Sequence, residues 1–266
     1  MKRLAIFLDG SANDRDSLAS AALLAARLDA NLDVYYPEAA DYVLSTLADG
    51  SAAIVTDPAA NRGLETARTA FDQVCAGMHG ARWLQVAGHL DDAIHGYGLL
   101  YDAVIVERLS EEQGPHAQAF NTALFELAAP VLVMPPVAPA EIGDSVAVVW
   151  TGTVQSMRAL RSALPLLLRA AEVYLLTNTA NALARPEEAL EYLAVQGVKA
   201  TAVAFDGARL TARGRGRAII EAVGAAGADL MVIGAFGERR LDALFGLGRT
   251  TRKLVTAAPV PLLLQS

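Results

Sequence analysis

A chain of 266 residues that is 53% hydrophobic and 19% charged can bury a sizeable core, as one large domain or two small ones. No apolar run reaches the ~20 residues of a membrane span, and the opening MKRLAIFLDGS meets an acid too early for a secretory signal. Cys75 is the only cysteine, which excludes an internal disulfide; a cytoplasmic protein is expected. The net charge of −7 is divided unevenly: residues 1–144 hold 8 Lys and Arg against 20 Asp and Glu (−12), and residues 145–266 hold 14 against 9 (+5). The two halves are expected to do different work, with an anionic ligand drawn to the second and repelled by the first; mutual attraction of the halves is the plainer reading. His79, His89, His95 and His116 are scattered without ligand spacing, so no metal site is expected.

In chain order the first element is LAIFLDGS (Leu4–Ser11), a short apolar strand, a Gly turn and a hydroxyl residue. Leu18, Ala22, Ala25 and Leu28 then recur at helical spacing, and LDVYY (Leu32–Tyr36) reads as a second strand. The stretch around STLADGSAAIVTDPAANR is a surface excursion without an assigned role. ARTAFDQVCAGM reads as a helix carrying Cys75, and HGYGLL (His95–Leu100) as a helix end with a Gly cap. YDAVIVE (Tyr101–Glu107) and APVLVMP (Ala129–Pro135) are two further strands, followed by the Pro/Ala linker PVAPAEIGDS (136–145).

The pattern then repeats. VAVVWTGT (Val146–Thr153) copies the first strand and turn. Met157, Leu160, Leu164 and Leu167 repeat the helix, with Pro165 inside it, and EVYLLT (Glu172–Thr177) repeats the second strand. ADLMVIG (Ala228–Gly234) and VPLLLQ (Val260–Gln265) repeat the last two. Two domains, 1–136 and 145–266, each reading β-α-β-α-β-α-β, therefore stand in tandem, and the first holds about fifteen extra residues in its middle. Continuous apolar strands alternating with helices predict an α/β fold with a doubly wound parallel sheet. A final strand as apolar as VPLLLQ would invite aggregation at a free edge, so the two last strands are expected to pair, making an internal pseudo-dimer.

Ligands of such sheets sit beyond the strand carboxyl ends. There lies GAFGERRLDALFGLGRTT (Gly234–Thr251), with glycines that let a phosphate approach the backbone, a helix start in RTTRKLV, two threonine hydroxyls and several cations. It is a phosphate loop or a solvated connection, and the spacing favours the first. In the first copy Glu107 stands at the position of Gly234, and ERLSEE brings carboxylates where a phosphate would sit; Asp9 and Ser11 read as helix caps. RLTARGRGR (Arg209–Arg217) reads as a solvated basic loop before a helix at Ala218–Ala226. With no interleaved aromatics and an acidic chain, nucleic acid is not an expected partner. No GxSxG, P-loop or grouped Ser, His and Asp points to catalysis.

The DGS after the first strand, ADLMVIGAFG, the closing APVPLLL and the element order resemble the universal stress protein family in its tandem form. That resemblance implies two flavodoxin-like domains, a role in stress survival, and binding of ATP, with Mg, or of a related nucleotide without clear catalysis; a slow nucleotide hydrolase ranks last. The family motif is a glycine, two residues, a glycine, nine residues, and a glycine followed by Ser or Thr, with an Asp ending the first strand. Gly234 and Gly237 match its first two glycines. Gly248 comes after ten residues instead of nine, Arg249 follows it, and the hydroxyls fall at Thr250 and Thr251. Thr151 stands where the Asp would be. The implied nucleotide site is therefore Thr151, Gly234, Gly237, Gly248, Arg249, Thr250 and Thr251. The alternative is a structural or interaction module that binds no nucleotide. A protein partner and a homodimer of the tandem chain are the further expectations.

Overall fold

The computed structural model describes residues 1–38, 42–46, 52–56, 58–108, 115–127, 129–181, 184–207, 210–235 and 249–266. The first half runs β1 (Arg3–Phe7), α1 (Asp14–Leu28), β2 (Asn31–Glu38), β3 (Tyr42–Thr46), β4 (Ala52–Thr56), α2 (Pro58–Val74), β5 (Ala81–Ala87), α3 (Leu90–Tyr97), β6 (Ala103–Glu107), α4 (Pro115–Glu126) and β7 (Val131–Met134). The second runs β8 (Ser145–Trp150), α5 (Val154–Leu167), β9 (Glu172–Asn178), α6 (Pro186–Val195), β10 (Thr201–Phe205), α7 (Ala212–Ala225), β11 (Leu230–Gly234), α8 (Arg249–Ala257) and β12 (Leu262–Gln265). Ten strands form one sheet in the order β10-β9-β8-β11-β12-β7-β6-β1-β2-β5. All its pairs are parallel except β12 with β7, which are antiparallel, with Leu262 opposite Val133, Leu263 opposite Leu132 and Leu264 opposite Val131. The expected excursion contains the antiparallel hairpin β3–β4, a separate two-stranded sheet.

Counted within each half and leaving the hairpin aside, both strand orders are 3-2-1-4-5. The sheet is doubly wound as expected, but its order is that of dinucleotide-binding folds and not the 2-1-3-4-5 of flavodoxin. Each half also has one strand more than the sequence pattern indicated. These are β5 and β10, the two edges of the sheet, where no residue of the strand is fully buried.

Strand alternation divides the core between two faces. Leu4 and Ile6 of β1 and Val146 and Val148 of β8 point to the face covered by α1, α2, α5 and α6. Ala5, Phe7, Ala147 and Val149 point to the face of α3, α4, α7 and α8. Each core layer runs unbroken through both halves.

The structure refines several of the turns read in the sequence. From Ala212 on, the basic stretch is helical: α7 begins there, with the Thr211 hydroxyl accepting from Gly214 N–H at 3.2 Å. A Cβ on Gly216 would lie 2.9 Å from the Lys253 side chain, so this glycine lets α7 and α8 pack closely. HGYGLL does end a helix with a glycine cap: Gly98 caps α3, in right-handed φ, and stays small because a Cβ would strike Leu127. Cys75 follows the end of α2, buried, and burial pushes its thiol up to about 11.

The repeated Asp of YDAVIVE and ADLMVIG has one task in both halves. Asp102 accepts from the backbone N–H groups of Lys2 and Arg3 at the start of β1. Asp229 accepts from Gly143, Asp144 and Ser145 at 2.7, 3.0 and 3.2 Å, at the start of β8. Each carboxylate staples the fourth strand of its half to the first. Charge-assisted bonds of this kind contribute about 1.5–3 kcal/mol. Replacement Asp229→Ala, at the half-buried staple, is expected to lower the unfolding free energy by about 2 kcal/mol, and Asp102→Ala, at the exposed one, by less; urea denaturation of both variants measures the difference.

Candidate functional site

In a 3-2-1-4-5 sheet the strand order reverses between strands 1 and 4, and a crevice opens beyond their carboxyl ends. The chain has two such places, at β8 and β11 and at β1 and β6. Both begin with the same turn. Gly10 and Gly152 follow the first strand of each half with φ of +83° and +71°, a conformation that favours glycine.

At the second-half crevice Thr151 and Gly152 are exposed. Thr151 Oγ1 lies 2.9 Å from Thr153 Oγ1, and its carbonyl accepts from Asn181 Nδ2 at 2.9 Å. Thr153 caps α5 through reciprocal bonds with Ser156, Thr153 N–H to Ser156 Oγ at 3.0 Å and Ser156 N–H to Thr153 Oγ1 at 3.3 Å. Gly234 ends β11 against this first turn of α5: a Cβ there would come within 2.4 Å of the Gln155 carbonyl carbon and 2.5 Å of Ser156 N. Close packing alone thus requires glycine at 234. The structure brings Thr151 and Gly234 to the two strand ends that flank one crevice. Helix α8 starts at Arg249, as RTTRKLV indicated. The Thr250 hydroxyl donates to the Ala212 carbonyl at 3.0 Å, tying the starts of α7 and α8 together, and Thr251 is buried. Gly237, Gly248 and the rest of the loop over 236–248 lie outside the described residues, as does the Arg249 side chain.

The first-half crevice is a different chemical object. Asp9, at the end of β1, does not cap α1; its Oδ1 accepts from Ser11 N–H at 2.9 Å in a local turn, and Asn13 holds the cap position. Its Oδ2 lies 2.9 Å from His116 Nε2. Asp14, in the first turn of α1, is fully buried and accepts from the Gly10 and Asp9 N–H groups at 2.9 and 3.3 Å. Glu107, at the end of β6, accepts from the Ser17 hydroxyl at 3.2 Å. Phe7, Leu90, Ile94, Val106 and Ala119 join Asp9, Glu107 and His116 around a small concavity. Helix α2 covers the turn from its other side, close enough that a Cβ on Gly10 would fall 2.3 Å from Gly63 Cα.

Crowding sets the protonation of this cluster. Burial, then the charges of Asp9 and Glu107, push the Asp14 carboxyl up to about 8. Burial and the Asp9 charge also raise Glu107. Burial works to raise Asp9 too, but the hydrogen bond and charge of His116 outweigh it and hold Asp9 low. The bond to Asp9 in turn raises His116. The arrangement is a His116–Asp9 pair beside a buried Asp14 that keeps its proton near neutrality and a Glu107 raised above its usual value. Asp9, Asp14 and Glu107 can each turn an oxygen to a point where all three lie within 4.8 Å of one another, an arrangement of hard oxygen ligands. Sequence reading singles out Asp9 and Glu107 but does not join them to Asp14 and His116, because the fold alone brings the start of the chain to Glu107 and His116. The available signal was acids at the ends of two strands that flank a switch point, with a third in the helix between.

Residues 144–265 match the universal stress protein family. The second half is therefore a domain of that family. Among solved structures, a universal stress protein from Archaeoglobus fulgidus DSM 4304 superposes with a TM-score of 0.72 at 15% identity, covering 99% of this chain and 96% of that one. A functionally unknown protein from Pseudomonas aeruginosa PAO1 gives 0.59 at 13%, covering 100% and 92%. At such identities the likeness is one of fold. The comparison with curated proteins gave no match. No helix among the described residues is long and apolar enough to cross a membrane.

The raised Asp14 carboxyl has a stability consequence. A group that binds its proton more tightly when folded stabilises the fold at low pH, and that contribution is lost as pH rises toward the folded value. Between pH 5 and pH 8 the wild type is expected to lose on the order of 3 kcal/mol from this residue. Asp14→Asn is expected to flatten the slope, whatever its effect at any one pH; guanidinium unfolding at pH 5, 6.5 and 8 gives the two slopes.

Proposed function

We propose that the chain is a tandem universal stress protein whose two domains, 1–136 and 145–266, form a pseudo-dimer through their last strands, and whose second domain binds ATP or a related adenine nucleotide. The observation that carries this reading is the family match of residues 144–265 on a half that carries a net charge of +5 and leaves the Thr151–Gly152 turn exposed at its switch point. The tandem reading is supported by the equal strand orders and the antiparallel pairing of β12 with β7. The nucleotide would be held by Thr151, Gly234, Gly237, Gly248, Arg249, Thr250 and Thr251, with Mg on its phosphates. The exposed Thr151–Gly152 turn and the α8 start offer hydroxyls and backbone N–H groups of the kind a phosphate takes up. Occupancy biases a surface that a protein partner reads, in a cytoplasmic stress response and without turnover. The first domain, with acids where a phosphate would sit, does not take part.

A second reading, an interaction module without nucleotide, is favoured by two details. Packing against Ser156 explains Gly234 without any ligand, and the Thr250 hydroxyl is already engaged by Ala212. Thermal-shift titration with Mg-ATP separates the two readings. Binding is expected to raise the melting temperature by several degrees at millimolar ligand, with the rise lost in Gly237→Glu. No shift in the wild type establishes the second reading.

A further inference from the structure

We propose that Arg108 of the first half is a positioning residue for the second: it holds α8 by its carboxyl end and so fixes where that helix starts at the carboxyl edge of β11. The inference deepens the nucleotide reading, and its ligand arm rests on that reading. Arg108 acts through α8 and touches no ligand itself. Its backbone is locked in the sheet, its N–H donating to the Met134 carbonyl at 3.0 Å one step beyond the β6–β7 ladder. From that base its Nη1 donates to the Ala258 carbonyl at 3.1 Å, across 150 positions of the chain. Ala258 closes the last turn of α8, its N–H bonded to the Leu254 carbonyl at 2.8 Å, and both residues are buried. Because β7 and β12 run antiparallel, the carboxyl end of β6 lies level with the end of α8 and not with its start.

The charges of α8 show why it needs this hold. A helix favours acids in its first turn and cations in its last. α8 has no acid in its first turn and no base in its last, and Arg252 and Lys253 stand near its start. Arg108 supplies from the other half the cation that the end of α8 lacks. At nine residues the helix is too short to hold itself by its own backbone bonds. Its start is tied to α7 through the Thr250 hydroxyl and the close approach of Gly216 to Lys253. Released at its end, it can pivot about that tie. Pseudo-symmetry supplies a contrast. Ala235 is the counterpart of Arg108, its N–H donating to the Gln265 carbonyl at 2.7 Å one step beyond the β11–β12 ladder. An alanine has no side chain with which to reach back to α4, so the clasp runs one way, from the acidic half onto a helix of the basic half.

Two measurements on the full chain test this: amide exchange by nuclear magnetic resonance at one pH, without ligand, and calorimetric titration with Mg-ATP. Arg108→Ala is expected to speed exchange at Lys253 and Leu254, near the start of α8, about tenfold. It is expected to weaken Mg-ATP binding about fivefold. Arg108→Lys, which keeps the charge, is expected to recover most of both losses. Arg27→Ala is the control. It breaks another tie between the halves, Arg27 to Asp144 at 3.0 Å, and is expected to lower stability while leaving α8 exchange and Mg-ATP affinity as they are. Exchange that rises only at Ala257 and Ala258, or that rises equally in Arg27→Ala, overturns the proposal. So does Mg-ATP binding in the wild type that is indifferent to Arg108→Ala. A wild type that binds no Mg-ATP refutes the nucleotide reading alone; the exchange arm needs no ligand and then decides the role of Arg108 by itself.

Discussion

Everything else in the architecture depends on the antiparallel meeting of β7 and β12. Both strands are short and almost wholly apolar, VLVM and LLLQ, and both are buried on the two faces of the sheet. Left as edges they would present unpaired N–H and C=O groups among leucines and valines. Paired, they make the middle of a continuous ten-stranded sheet. Side chains of one half then complete the core of the other, and neither core layer ends at the junction. Polar ties reinforce it: Arg108 donates to the Ala258 carbonyl at 3.1 Å, and Arg27 pairs with Asp144 at 3.0 Å.

The junction makes the two crevices equivalent in position, and the sequence makes them opposite in chemistry. The contrast is sharpest at the end of the fourth strand of each half. In the second half the backbone closes that gap: Gly234 lies so near the first turn of α5 that no side chain fits. In the first half a side chain spans it, Glu107 reaching Ser17 of α1. One substitution in type, glycine for a carboxylate, changes a backbone-lined recess into a cluster of acids. The charge division between halves, −12 and +5, reinforces the local difference over a longer range.

The central strands were legible because burial on both faces writes itself as an unbroken apolar run, as in LAIFL and VAVVW. The edges β5 and β10 were not, because one-sided exposure admits Arg82, Gln85 and Thr201 and dissolves the run. The glycines of RGRGR give the start of α7 poor helix propensity; the close approach of Gly216 to Lys253 and the Thr211 cap override it. Strand order was not legible, since apolar patterning fixes which segments are strands and leaves their neighbours open. The first-half cluster was half legible. Asp9 and Glu107 stood out at strand ends, but the parts of Asp14 and His116 depend on where α1 and α4 dock.

Asp14 is the residue that packing considerations alone explain least. Its carboxyl receives two backbone N–H groups from the Asp9–Gly10 turn, a task that usually keeps an acid ionised and low. Here burial and two neighbouring acids reverse that outcome and carry it to about 8. His116 relieves Asp9 through a hydrogen bond and charge and Glu107 through charge alone, and it is itself titratable, its proton held on by Asp9. The turn after β1 therefore depends on protonation: protonated Asp14 is the comfortable state, and its ionised form sets three carboxylates around one imidazolium. The second half solves the same turn with neutral hydroxyls, Thr151, Thr153 and Ser156, whose bonds do not change with pH near neutrality. A fold that builds one turn twice, once from hydroxyls and once from acids, makes that turn sensitive to protons in one half and insensitive in the other.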